Sequence, residues 1–116
     1  MGYASQETAM TLAWIYLLVA SLLEIGWPLG FKLSQTTSHR ITYIIVAVVC
    51  MGLSGLFLWL AQRDIPIGTA YAVWTGIGAA GTFLIGLVIF HDPVSMMRVL
   101  SFLLIVAGVI GLKISA

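Results

Sequence analysis

The chain has 116 residues and a formal net charge of +1, with 61% hydrophobic and only 8% charged residues, against roughly 25% charged in an ordinary soluble domain. With a mean hydropathy of +1.12, this excludes a soluble domain, and the near-neutral balance excludes a basic face for nucleic acid. The composition predicts an all-α membrane protein that is no enzyme: the sequence offers no nucleophile–base pair, the single Cys50 has no partner for a disulfide, and His39 and His91 lie in separate loops and suggest no metal site or other cofactor.

Residues 1–11 are polar and carry Glu7 but no Lys or Arg, which predicts a short disordered lead-in rather than a signal peptide. Residues 12–116 read as a single four-helix transmembrane domain. The first span, Leu12–Phe31, is about 20 residues long, enough to cross a hydrocarbon core of about 30 Å as a helix. Glu24 is the charge inside it. A carboxylate at that depth costs a few kcal/mol, and such acids normally face a bundle interior and serve ion or substrate movement. Ser21 and Trp27 follow at i−3 and i+3. The Ser21 hydroxyl can donate to the carboxylate, and Trp27 offers a π face to a cation; an interfacial position serves Trp27 as well. Pro28, four residues past Glu24, predicts a bend.

The second span, Ile41–Gln62, carries a small-residue patch at Gly52, Ser54 and Gly55. Ser54 suits a hydrogen bond into a pocket or a close helix contact. The third, Gly68–Phe90, places Tyr71, Trp74, Thr75, Gly78 and Thr82 on one face. Tyr71 and Trp74 suit the walls of a cation pocket or an interfacial belt. Gly76, Gly78 and Gly81 suit a hinge or close packing. The last, Val94–Leu112, has Gly108 and Gly111 on a small-residue face, read as dimer packing.

The connections, Lys32–Arg40, Arg63–Ile67 and His91–Pro93, are short, so successive spans run antiparallel. One side of the membrane then holds Arg63 and Lys113, the other Lys32, Arg40 and Arg98. A three-to-two split barely sets orientation, so insertion both ways up stays open. Four spans are few for a transporter, and two copies in opposite orientations would supply the inverted repeat that many transporters use. Charge balance and size together predict a dual-topology antiparallel homodimer in the bilayer, with two Glu24 residues in one cavity.

Three strings carry a resemblance: Leu22-Leu23-Glu24-Ile25-Gly26-Trp27, then Pro66-Ile67-Gly68-Thr69-Ala70-Tyr71-Ala72-Val73-Trp74-Thr75-Gly76-Ile77-Gly78, and Gly108-Val109-Ile110-Gly111-Leu112-Lys113. From about Leu12 onward the chain resembles the small multidrug resistance family, and Trp27 with the third-span string resembles its guanidinium exporter branch. The resemblance implies a bacterial inner-membrane antiporter that exchanges protons for guanidinium ions. It implies that Glu24 binds both proton and substrate, that Trp27, Ser54, Tyr71 and Trp74 line the pocket, and that the last helix holds an antiparallel dimer. Ser21, usually glycine in that branch, and Pro28 depart from the pattern and leave the substrate range open to substituted guanidines such as guanylurea. Two other readings remain at this stage: a multidrug exporter of quaternary ammonium or aromatic cations, and a membrane subunit that does not transport alone.

Overall fold

The computed structural model describes residues 3–115, which form four helices: α1 (Tyr3–Thr36), α2 (Arg40–Ala61), α3 (Ile67–Val88) and α4 (Met96–Ser115). All four are long and apolar enough to cross a membrane. The bounds of α2, α3 and α4 differ from the sequence expectation by one to three residues, and those of α1 differ by more. Tyr3–Thr11 continue α1 instead of forming an irregular lead-in; Ala4, Gln6, Glu7 and Met10 are good helix formers, and once a helix exists each added residue costs little. At the other end α1 runs on to Thr36, so Lys32 is helical rather than part of a loop. At 1.5 Å per residue this helix is about 51 Å long, well beyond a hydrocarbon core of about 30 Å.

α1 is the centre of the bundle, packed on both α2 and α3, whereas α4 lays its backbone against α3 alone. The α1–α2 seam is made of small residues at helical spacing. A Cβ on Gly30 would stand 3.0 Å from the Ala47 Cβ, and one on Gly26 would stand 2.8 Å from the Cys50 Sγ. Farther along, Ser54 meets the Ala20 carbonyl. Without bulk between them the two backbones approach closely, the usual basis of helix association in lipid. The seam ends in a small core of Ala13, Leu17, Ala61, Ile65, Ala70 and Val73, where α1 meets the α2–α3 turn.

Most large apolar side chains point outward, including Leu22, Ile41, Leu104 and Ile114, and α4 buries no residue at all. Water would not tolerate such a surface; lipid does, provided the backbone bonds are satisfied within the helices. Two cations hold the ends of α4 to aromatic rings: Arg98 lies 5.2 Å from the Phe83 ring centre and Lys113 lies 4.6 Å from that of Trp14. Such contacts contribute about 0.5–2 kcal/mol each.

Pro28 lies inside α1, which continues as helix to Thr36. Having no N–H, Pro28 cannot serve the carbonyl four residues back, which belongs to Glu24. In the α3–α4 connection His91 takes a left-handed φ of 55°, and the Asp92 N–H donates to the Gly86 carbonyl at 3.0 Å, folding the loop back over the end of α3.

Candidate functional site

Glu24 projects from the middle of α1 toward α3. A Cβ on Gly78 would stand 2.6 Å from the Glu24 Cγ, so the acidic side chain lies directly on the α3 backbone, and only glycine at 78 admits it. Thr75, Gly78, Ala79 and Thr82 of α3, with Glu24 and Pro28 of α1, line a cavity of about 290 Å³. Thr75 and Ala79 are exposed, so this cavity has walls from two helices and an open flank.

Ser54 of α2 also approaches Glu24. Its side chain is fully buried, and three groups surround its hydroxyl. The Trp74 indole N–H donates to Oγ at 2.9 Å, Oγ donates to the Ala20 carbonyl at 2.7 Å, and Glu24 Oε2 lies 3.3 Å away. Among the described residues no cationic side chain is paired with Glu24. A carboxylate among apolar helices without a fixed counter-ion is a place for a mobile cation or a proton, because an uncompensated charge in low dielectric is costly.

The aromatic residues divide. Tyr71 and Trp74 pack together with ring centres 5.5 Å apart, tilted by 53°. Trp74 reaches inward to Ser54, while Tyr71 is 56% exposed on the same open flank as Thr75 and Ala79. Trp27 lies edge-on to Phe31 at 5.9 Å, and the residues lining the Glu24 cavity do not include it. The Ser21 hydroxyl is fully buried and donates to the Leu17 carbonyl at 2.7 Å rather than to the carboxylate. The sequence expectations for these two side chains therefore differ from their placement within one chain.

The glycines singled out on α3 each receive a side chain. Gly76 accommodates Val109 of α4, Gly78 accommodates Glu24, and Gly81 accommodates Ile25. Packing thus uses all three positions that the sequence also offered as a hinge. Gly108 and Gly111 of α4 face open space, with nothing within 4 Å of a Cβ on either. Sequence reading missed Lys32 and Asp92, which line a second cavity beside the first. Both read as ordinary charges at span ends, and nothing in the pattern signals that the α3–α4 loop folds back.

A family model described as Small Multidrug Resistance protein matches residues 12–105. Among curated proteins, the chain is 48% identical to a guanidinium exporter of Yersinia pseudotuberculosis over 90% of this chain and 100% of that protein. It is 46% identical to guanidinium exporters of Salmonella typhimurium and Citrobacter freundii, again over 90% of this chain and 99% and 98% of theirs.

Proposed function

Because the chain belongs to the small multidrug resistance family of integral membrane proteins, we propose that it exports guanidinium in exchange for protons, with Glu24 as the group that binds each in turn. The observation that carries this reading is a carboxylate in the middle of an apolar helix, 3.3 Å from the Ser54 hydroxyl and unpaired with any cation among the described residues. Guanidinium is planar, with N–H donors that match a carboxylate in a bidentate fork. Quaternary ammonium ions lack those donors and would depend on aromatic faces alone.

Ser54 links the two occupants of the site. A hydroxyl has one proton to give and two lone pairs to accept. With its proton on the Ala20 carbonyl and the Trp74 N–H on one lone pair, Ser54 has one lone pair left for Glu24. A protonated Glu24 donates into it and completes the set. When the proton leaves, Ser54 must turn its own hydrogen toward the carboxylate or leave that contact unbonded. Proton and cation therefore compete for the same oxygens, and the exchange requires no second site. Export against a gradient follows when protons enter as the cation leaves.

The open flank of the Glu24 cavity supports assembly with a second copy. In an antiparallel dimer, the exposed faces bearing Tyr71, Thr75 and Ala79 would close around two Glu24 carboxylates, and the vacant Gly108–Gly111 face of α4 would pack on its counterpart. Two carboxylates that release two protons per monovalent cation make the cycle electrogenic. Substituted guanidines such as guanylurea fit the same fork. The test is reconstitution of the chain alone in liposomes, with currents recorded on adding guanidinium, guanylurea or a tetra-alkylammonium ion. Currents with the guanidinyl ions alone support the proposal. Equal currents with the ammonium ion favour a multidrug exporter, and silence with all three favours a partner-dependent subunit.

A further inference from the structure

The cavity that holds Glu24 does not end at Pro28. Pro28 and Thr82 also line an adjoining cavity of about 290 Å³, whose other polar residues are Lys32 and Asp92. Glu24, Pro28 and Lys32 follow one another at four-residue steps along α1, each about 40° around the helix from the last, and Lys32 is about 12 Å farther along the helix than Glu24. The two cavities form one groove between α1 and α3 that leads from the carboxylate at mid-span to the loop end of the bundle.

Asp92 is held at the mouth of that groove by two features of the chain. The left-handed φ at His91 reverses the backbone, and the Asp92 N–H is tied to the Gly86 carbonyl at 3.0 Å. The side chain then rests on α3 so closely that a Cβ on Gly86 would collide with its Oδ2. Gly86 is thus to Asp92 what Gly78 is to Glu24: a gap in α3 that seats an acid. Lys32 stands in the same cavity as an exposed cation on a flexible stem.

We propose that Asp92 and Lys32 form an outer station for the transported cation, a weak and exchangeable site through which a guanidinyl ion passes between solution and Glu24. This rests on the exporter reading given above. The Asp92 carboxylate offers the same fork as Glu24. Lys32, lining the same cavity, offsets part of its charge from a distance, so that an arriving cation meets a weakened acid, and its flexible stem lets the ammonium group swing into water. Conduction requires sites strong enough to admit an ion and weak enough to release it; a compensated acid at the mouth meets both conditions better than an uncompensated one.

The experiment compares guanidinium currents of the reconstituted wild type with those of D92N, G86A, K32Q and D64N over a range of guanidinium concentrations, at low ionic strength. D92N removes the charge; G86A keeps it but unseats it. Both should raise the half-saturating concentration about two- to fivefold, the scale of a single exposed charge contact, with the maximal current unchanged. K32Q should lower it. D64N removes an acid from the α2–α3 turn, outside the groove, and should match the wild type. A wild-type value for either D92N or G86A, or a shift in D64N equal to that in D92N, would overturn the outer station and leave the exporter reading standing. A silent wild type would instead overturn the exporter reading and this inference with it.

Discussion

Ser54 Oγ stands 3.3 Å from Glu24 Oε2 but only 2.7 Å from the Ala20 carbonyl oxygen. The shorter contact is a good hydroxyl hydrogen bond, the longer one a weak contact that strengthens only if one of the pair moves or Glu24 supplies a proton. Ser54 is therefore anchored to the α1 backbone and reports on Glu24 as a secondary partner, with Trp74 fixing its remaining geometry.

Replacing that hydroxyl should be felt in two places. Ser54→Ala leaves the Trp74 N–H without its acceptor and removes the bridge to Glu24, at a cost of about 1–3 kcal/mol. Thermal unfolding in detergent should show the lower stability, and guanidinium transport should fall. Ser54→Thr keeps the hydroxyl and should recover part of both.

Glu24→Gln keeps the shape of the side chain and its contact with Ser54 but can neither carry a proton into the exchange nor fork a guanidinium ion. The variant should insert and fold, shown by unchanged helical content, and lose uphill guanidinium transport to the level of empty liposomes. Retained uphill transport would remove Glu24 from the role.

Gly78→Ala separates local stability from function. Alanine improves an α-helix interior by about 1 kcal/mol, but its Cβ would fall 2.6 Å from the Glu24 Cγ and push the acidic arm off α3. Transport should drop sharply in a protein that remains folded. Gly52→Ala, whose Cβ meets nothing within 4 Å, is the control and should transport as the wild type does.

Gly108→Ile alters a face of α4 with open space above it. The fold of one chain should survive, since α4 buries no residue within it. If the antiparallel dimer packs on this face, crosslinking in membranes and the mass of the detergent-solubilised protein should both shift toward monomer. An unchanged dimer would place the contact elsewhere.

Hydropathy made the four helices legible, since each is an apolar run bounded by charges, and it made Glu24 legible as the exception within its run. Ser54 and Trp74 lie on other helices than Glu24, so the pattern alone left Ser54 between a pocket hydrogen bond and a helix contact and Trp74 between a cation wall and an interfacial belt; only the family resemblance drew them to the acid. Ser21 and Trp27 show where this reasoning stops. Each lies about 60° around α1 from Glu24, on opposite sides, so a shared half of a helix is not a shared cavity. Ser21 turned to its own backbone and Trp27 to Phe31. The helical start of α1 was hidden because polar residues at a helix end carry no apolar periodicity. Asp92 was hidden because its position depends on one backbone angle at His91, and a loop of ordinary composition does not announce that angle.

The groove from Glu24 opens beside Asp92, at the end of the bundle away from both termini. In a pair of oppositely inserted copies, each membrane face would receive one such mouth, and both would be written by the same codons. A substitution at Lys32, Gly86 or Asp92 would then alter capture on one face and release on the other together. A lineage that needed to adjust the two independently would first have to duplicate the gene and let the copies diverge.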